Sequence, residues 1–266
     1  MKNKEEMSFL DHLEILRWHL IRSGIAILLF SILAFIFKEI IFDVVLLAPK
    51  DPNFLTYRFL CNISQVLGLG DALCIKESPF SLMNINMAGQ FSAHLLTSFY
   101  AGFILAFPYV FWEIWRFVLP ALKEKEAKVS RGIVFFSSLL FLTGVIFGYF
   151  VIAPLSINFL GSYQVSQTVA NQISLTSFIS TVTTISLANG IIFELPILVY
   201  FLTKIGLLTP EFMRTYRRHA MVITLILSAI ITPPDITSQI LVSFPLIILY
   251  EISIQISKAI VKKNNQ

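Results

Sequence analysis

Two carboxylates, Glu124 and Glu126, stand among the cations Arg116, Lys123, Lys125, Lys128 and Arg131 in a stretch that begins Arg116-Phe117-Val118-Leu119-Pro120-Ala121-Leu122. A carboxylate takes a planar guanidinium through two parallel hydrogen bonds, which an ammonium cannot reproduce. Such a spot could tell Arg from Lys; the same charges also read as a plain solvated loop. A second acidic group lies in Ser8-Phe9-Leu10-Asp11-His12-Leu13-Glu14-Ile15-Leu16-Arg17. Ser8 and Asp11 have the spacing of a helix start. Leu13, Leu16 and Leu20 share a helical face, so the segment reads as an amphipathic lead-in. Glu14 and Arg17, three apart, could pair on its surface for a few tenths of a kcal/mol. Glu194 is different, because it interrupts a long apolar run two residues before Pro196. An ionisable group at that depth costs several kcal/mol and marks a functional site, or a structural hydrogen bond to a neighbouring helix. Gln239 is its best internal polar partner; Asp235, Glu113 and Glu251 lie where water is near.

Cys61 and Cys74 are the two cysteines. A bridge between them would close a short loop and contribute about 3 kcal/mol; two free thiols are the alternative, and neither spacing suggests a metal. The four histidines form no H-E-x-x-H pattern, and neither a G-x-S-x-G elbow nor a glycine-rich phosphate loop occurs. Enzyme chemistry has no reactive constellation here, and no cofactor is called for.

These groups sit on apolar helices. The chain is 56% hydrophobic and 14% charged, against about 25% charged for soluble domains. Its charges fall between apolar runs long enough for a bilayer, which takes roughly 20 residues of helix. Helix is also what a hydrocarbon medium demands of the backbone. The expected fold is an all-α integral membrane domain over 1–266. Its six spans are expected at 18–37, 91–115, 133–153, 174–203, 219–231 and 236–257, with a long outer loop at 38–90. Pro233 and Pro234 force a tight turn between the fifth and sixth spans, both expected to be short. Gly144-x-x-x-Gly148 could let two helices approach closely.

Orientation follows from Lys and Arg. Four of the twenty, Lys38, Lys50, Arg58 and Lys76, fall in the long loop. The rest flank the other side of the spans, which puts both termini in the cytoplasm. The net charge of +4 is then a record of topology, and nucleic acid need not be invoked. No cleavable leader pattern precedes the first span, which is expected to remain as an anchor.

The chain resembles the TatC family, the multi-spanning receptor subunit of the twin-arginine protein translocase. The resemblance rests on Phe107-Pro108…Trp115-Arg116-Phe117-Val118-Leu119-Pro120-Ala121-Leu122, on Phe193-Glu194-Leu195-Pro196, and on Thr232-Pro233-Pro234-Asp235…Gln239. It implies a glove-like concave bundle in a bacterial inner membrane. It also implies a receptor for the twin-Arg signal peptides of folded cargo, partnered by single-span TatA- and TatB-type subunits in a multimeric, proton-motive-force-driven complex. Glu126 matches the acidic residue that engages the arginines, with Phe117 and Pro120 shaping its loop. The family's H-L-x-E-L-R appears as His12-Leu13-Glu14-Ile15-Leu16-Arg17, so Glu14 stands one position early and Ile15 holds the expected place. Glu194 and Gln239 match polar residues of the concave surface and partner contacts. A solute or proton carrier using Glu194 is the competing class, opposed by the lack of a partner cation. A scaffold without signal binding would leave the loop carboxylates unexplained.

Overall fold

The computed structural model describes residues 9–75, 80–118, 130–166, 168, 171–232 and 236–264. Its helices are α1 (Phe9–Ile36), α2 (Leu55–Val66), α3 (Gly89–Val118), α4 (Ser130–Phe147), α5 (Ala153–Ser162), α6 (Leu175–Ile192), α7 (Leu195–Lys204), α8 (Pro210–Thr215), α9 (Arg217–Ile231) and α10 (Ile236–Asn264). Among the described residues five helical stretches are long and apolar enough to cross a membrane: Leu13–Ile36, Gly89–Val118, Gly132–Ser162, Leu175–Lys204 and Ser238–Lys262. The protein is thus an all-α multi-spanning membrane protein.

Several boundaries differ from the expected ones. The amphipathic lead-in is not a separate element, for α1 runs unbroken from Phe9 to Ile36. The third span does not stop at residue 153. A π-helical turn, Gly148–Ile152, carries the chain into α5, where Pro154 takes a first-turn position that needs no N–H donor. The wide turn absorbs the mismatch a proline would otherwise impose. The expected fifth span is α9, whose 15 residues rise only about 22 Å, short of a core of about 30 Å. It is therefore not among the five, whereas the sixth, expected to be short as well, is the 29-residue α10 and is among them. Two inter-helix segments also meet as a short parallel ladder, β1 (Ser81–Met83) on β2 (Gln172–Ser174), with Leu82 opposite Ile173. Nothing in alternating hydrophobicity over three residues could announce it.

The chain divides into two compact units. The first takes residues 1–37 and 98–139. Its α1 and the later part of α3 approach closely at Gly102, where a Cβ would lie 2.5 Å from the Ser31 backbone nitrogen.

The second unit takes residues 38–97 and 140–266. Its core joins Ile152, Ile157, Phe178, Val182, Ile185 and Leu246 with other buried side chains. Gly144 and Gly148 press α4 and its π-turn against α6: Cβ atoms there would meet the Asn189 carbonyl at 2.5 Å and the Ile185 carbonyl at 2.9 Å. The small-residue pair is a real close approach. After α1, a π-helical segment, Ile40–Leu46, leads to α2, and the Tyr57 hydroxyl donates to the Pro49 and Pro154 carbonyls, each at 2.9 Å. Burial pushes that phenol's pKa above its ordinary value, which keeps it a donor.

Candidate functional site

The inner end of α3 builds a polar cluster from one helical face. Tyr109, Glu113, Arg116 and Phe117 recur at three- and four-residue spacing, so their side chains line up along the helix. The Glu113 side chain is only 1% exposed. One carboxylate oxygen bonds His19 Nδ1 of α1, and the other accepts from the Tyr109 hydroxyl at 2.9 Å. Arg116 Nη1 lies 3.9 Å from the same carboxylate, and its guanidinium sits 4.8 Å from the Trp112 ring centre. Phe117 meets His19 edge-on, ring centres 6.2 Å apart.

A carboxylate taken out of water survives only with such partners, because its lost hydration costs several kcal/mol. Hydrogen bonds from His19 and Tyr109, on two helices, satisfy it, with Arg116 at ion-pair range. The result is a clamp that fixes α1 against the last turns of α3, a few residues before Glu126 in the sequence. Glu113 does not simply reach the interface, as its position near a span end suggested. His19 lies near the start of the first span and Glu113 near the end of the next, and that matched depth in consecutive spans is the signal by which they could have been paired.

Glu14 and Arg17 are both exposed on α1, and no ion pair joins them among the described residues. Phe117 is half-buried in the last turn of α3. Glu126, Pro120 and Asp235 lie outside the described residues, as does Ser8.

In the second unit the fourth span is not one continuous helix. It breaks at Phe193 and Glu194, between α6 and α7, with Pro196 in the first turn of α7. Glu194 is half-buried, and its carbonyl accepts from the Ile197 and Leu198 amides at 3.0 Å. The break comes right after Phe193, whose Cβ lies 2.8 Å from where a Cβ on Gly144 would stand. The acid thus sits at a helix start next to the point where α4 packs closest on α6.

Gln239 does not partner Glu194. Its amide donates instead to the Leu225 carbonyl of α9 at 3.2 Å, tying the short helix to α10. Arg217 Nε, at the start of α9, meets Glu251 Oε1 in the middle of α10 at 2.6 Å. Both partners are at least a third exposed, so the pair contributes at most about 1 kcal/mol.

A feature the residue types had not suggested is a hydroxyl stripe on α6. Ser177, Thr181 and Thr184 recur at helical spacing and line an open groove of about 350 Å³ with Ile231 and Thr232. Cys61 and Cys74 are joined by a disulfide. Among the described residues no group of three or more His, Cys, Asp or Glu is placed to hold a metal ion.

The model of the family described as Sec-independent protein translocase protein (TatC) matches residues 11–245. The Sec-independent protein translocase protein TatC of Blattabacterium sp. subsp. Periplaneta americana (strain BPLAN) is 42% identical over 265 residues, covering 99% of this chain and 100% of that protein. TatC of Aquifex aeolicus (strain VF5) is 34% identical and covers 98% of each. A crystal structure of the twin-arginine translocase receptor TatC superposes with a TM-score of 0.72 at 33% identity, over 94% of this chain and 99% of that one. A second, of the same receptor in DDM, gives 0.71 at 34% identity, over 92% and 99%. The match runs through the clamp on α3, the break at Glu194 and the start of α10: the chain belongs to the TatC family and is a multi-pass membrane component of the Sec-independent protein translocase.

Proposed function

We propose that this chain is the receptor of the translocase, binding twin-Arg signal peptides of folded cargo at the cytoplasmic face. Glu126 takes the guanidinium groups, Phe117 and Pro120 shape its loop, and Glu14 and Arg17 line the approach. The observation that carries the reading is the clamp. His19 and Glu113 hold the last turns of α3, which precede Glu126 in the sequence, against α1, and Glu14 and Arg17 stand within about two helical turns of His19 on α1. A loop with a fixed root presents a carboxylate at lower entropic cost than a free one. Each charged hydrogen bond then contributes about 1.5–3 kcal/mol when well formed.

The chain acts as one polytopic domain of six spans, α9 serving as the short fifth, with both termini cytoplasmic. The Lys and Arg distribution supports that orientation, and the Gln239–Leu225 bond supports an α9–α10 hairpin. Glu194, Gln239 and Asp235 belong to the surface that receives single-span partners of the TatA and TatB type. Recruitment and assembly of the passage follow binding, and no covalent step is involved.

The test is site-specific crosslinking of a twin-Arg signal peptide to the purified full chain. Glu126→Ala abolishes the crosslink while the protein still inserts, and a twin-Lys peptide fails on the unaltered chain. An unchanged crosslink in the variant removes Glu126 from recognition; equal capture of the twin-Lys peptide removes guanidinium recognition altogether.

A further inference from the structure

The long loop between the first two spans contains a helix with three distinct flanks. On α2 the side chains of Tyr57 and Ser64 turn inward and are buried. Leu55, Phe59 and Val66 fall on another flank, spaced by four and seven residues, and are 63%, 63% and 86% exposed. Arg58, Asn62 and Gln65 are exposed on the flank beside them. A helix wholly in water would not hold its apolar flank out. The turn after it continues the pattern, since Leu67, Leu69 and Leu73 are exposed as well.

That turn is built, not loose. Gly68 and Gly70 take the positive φ values it needs, +72° and +60°. The Ser64 hydroxyl donates to the Gly70 carbonyl at 2.7 Å, and the Cys61–Cys74 disulfide closes the segment.

The level at which α2 is fastened says what covers its apolar flank. The Thr56 hydroxyl donates to the Phe150 carbonyl and the Tyr57 hydroxyl to the Pro154 carbonyl. Phe54 stacks on Phe150, ring centres 5.5 Å apart. Phe150 lies on the stretch that begins at Gly132, about 27 Å along it at 1.5 Å per residue. A hydrocarbon core is about 30 Å thick, so α2 is fastened where the span leaves it. Below Phe150 the same helix exposes Leu142 and Ile146, the face a span turns to lipid. Thr56 and Phe54 fasten α2 at the end of that exposed face.

We propose that α2 and its disulfide-closed turn lie in the outer membrane–water interface. Leu55, Phe59, Val66, Leu67 and Leu69 enter the lipid, and Arg58 and Gln65 face the headgroups and water. Helices of this kind seat their apolar face about 5–10 Å into the headgroup boundary. Arg58, exposed on the polar flank, suits a lipid phosphate. The occupant is phospholipid, whether or not the chain reads signal peptides.

The test uses the full chain in vesicles of phosphatidylethanolamine and phosphatidylglycerol, with nitroxide labels on Phe59→Cys, Val66→Cys and Gln65→Cys. Collisions with oxygen, relative to those with a water-soluble nickel chelate, are several-fold more frequent at 59 and 66 than at 65. Equal chelate access at all three overturns the proposal, as does exclusion of both reagents at 59, which would mean a protein covering. A thiol-free version replaces Phe59 with a photoreactive benzophenone residue. Adducts to phospholipid support the proposal; adducts only to a second copy of the chain, or none, overturn it. Signal-peptide crosslinking in the same vesicles reads the other function separately.

Discussion

Glu113 is the side chain whose loss the first unit should feel most. Removing a hydrogen-bond partner from a buried carboxylate leaves it desolvated and unpaired, which costs about 1–3 kcal/mol or more. His19→Ala should therefore lower the unfolding midpoint in detergent much more than Arg116→Ala, whose guanidinium is 48% exposed and 3.9 Å away. In the double variant His19→Ala/Glu113→Ala the loss should be clearly less than additive, the mark of two groups that need each other. Additive losses would mean that the clamp holds nothing. This pair was hard to read in advance for a plain reason. Each residue alone looks like an interfacial polar group, and only the antiparallel placement of α1 and α3 turns two of them into one buried contact. Glu194 was easier, since an acid inside a long apolar run is conspicuous without knowing any neighbour.

Elements carried by hydrophobic length were legible in the same way. The spans near 18–37, 91–115 and 174–203 correspond to α1, α3 and the α6–α7 pair, because a bilayer-length apolar run has few alternatives to helix. What escaped reading depends on partners distant in the chain. The continuation of the third span through Gly148–Ile152 needs a wide turn that composition does not encode, and the β1–β2 ladder joins segments about ninety residues apart. Gly144 was readable as a small residue, but its neighbour was not. Its environment yields a sharp contrast with Gly132, around which there is nothing within 4 Å. Gly144→Ala drives a Cβ into the Asn189 carbonyl and should destabilise by about 1–3 kcal/mol. Gly132→Ala only gains helix propensity and should stabilise by up to about 1 kcal/mol. Thermal unfolding of the two variants side by side checks both signs.

At the scale of the whole molecule, the short α9 and the bridged outer loop are the features that set it apart from a bundle of equal spans. An apolar segment shorter than the bilayer thins the lipid around it, which would ease the passage of bulky cargo. Inserting four leucines into α9 adds about 6 Å and should slow export in vesicles without preventing insertion; normal export would show that the short span has no such part. The Cys61–Cys74 bridge closes a 13-residue separation, so the Cys61→Ser/Cys74→Ser variant should lose about 3 kcal/mol of stability. The loss should appear as faster proteolysis of 55–75 in vesicles. Equal protease resistance with and without the bridge would mean that Ser64 and the glycine turn suffice.

The His19–Glu113 contact also has a history built into it. Its members are 94 residues apart in the chain. At about 5–20 residues per second, α1 leaves the ribosome with its imidazole roughly 5–20 s ahead of the carboxylate it needs. During that wait the imidazole must be hydrated or held by the insertion machinery, and the newborn α1 has no lock on its depth. Only the arrival of α3, after the whole of 38–88 has been made, lets the first unit close.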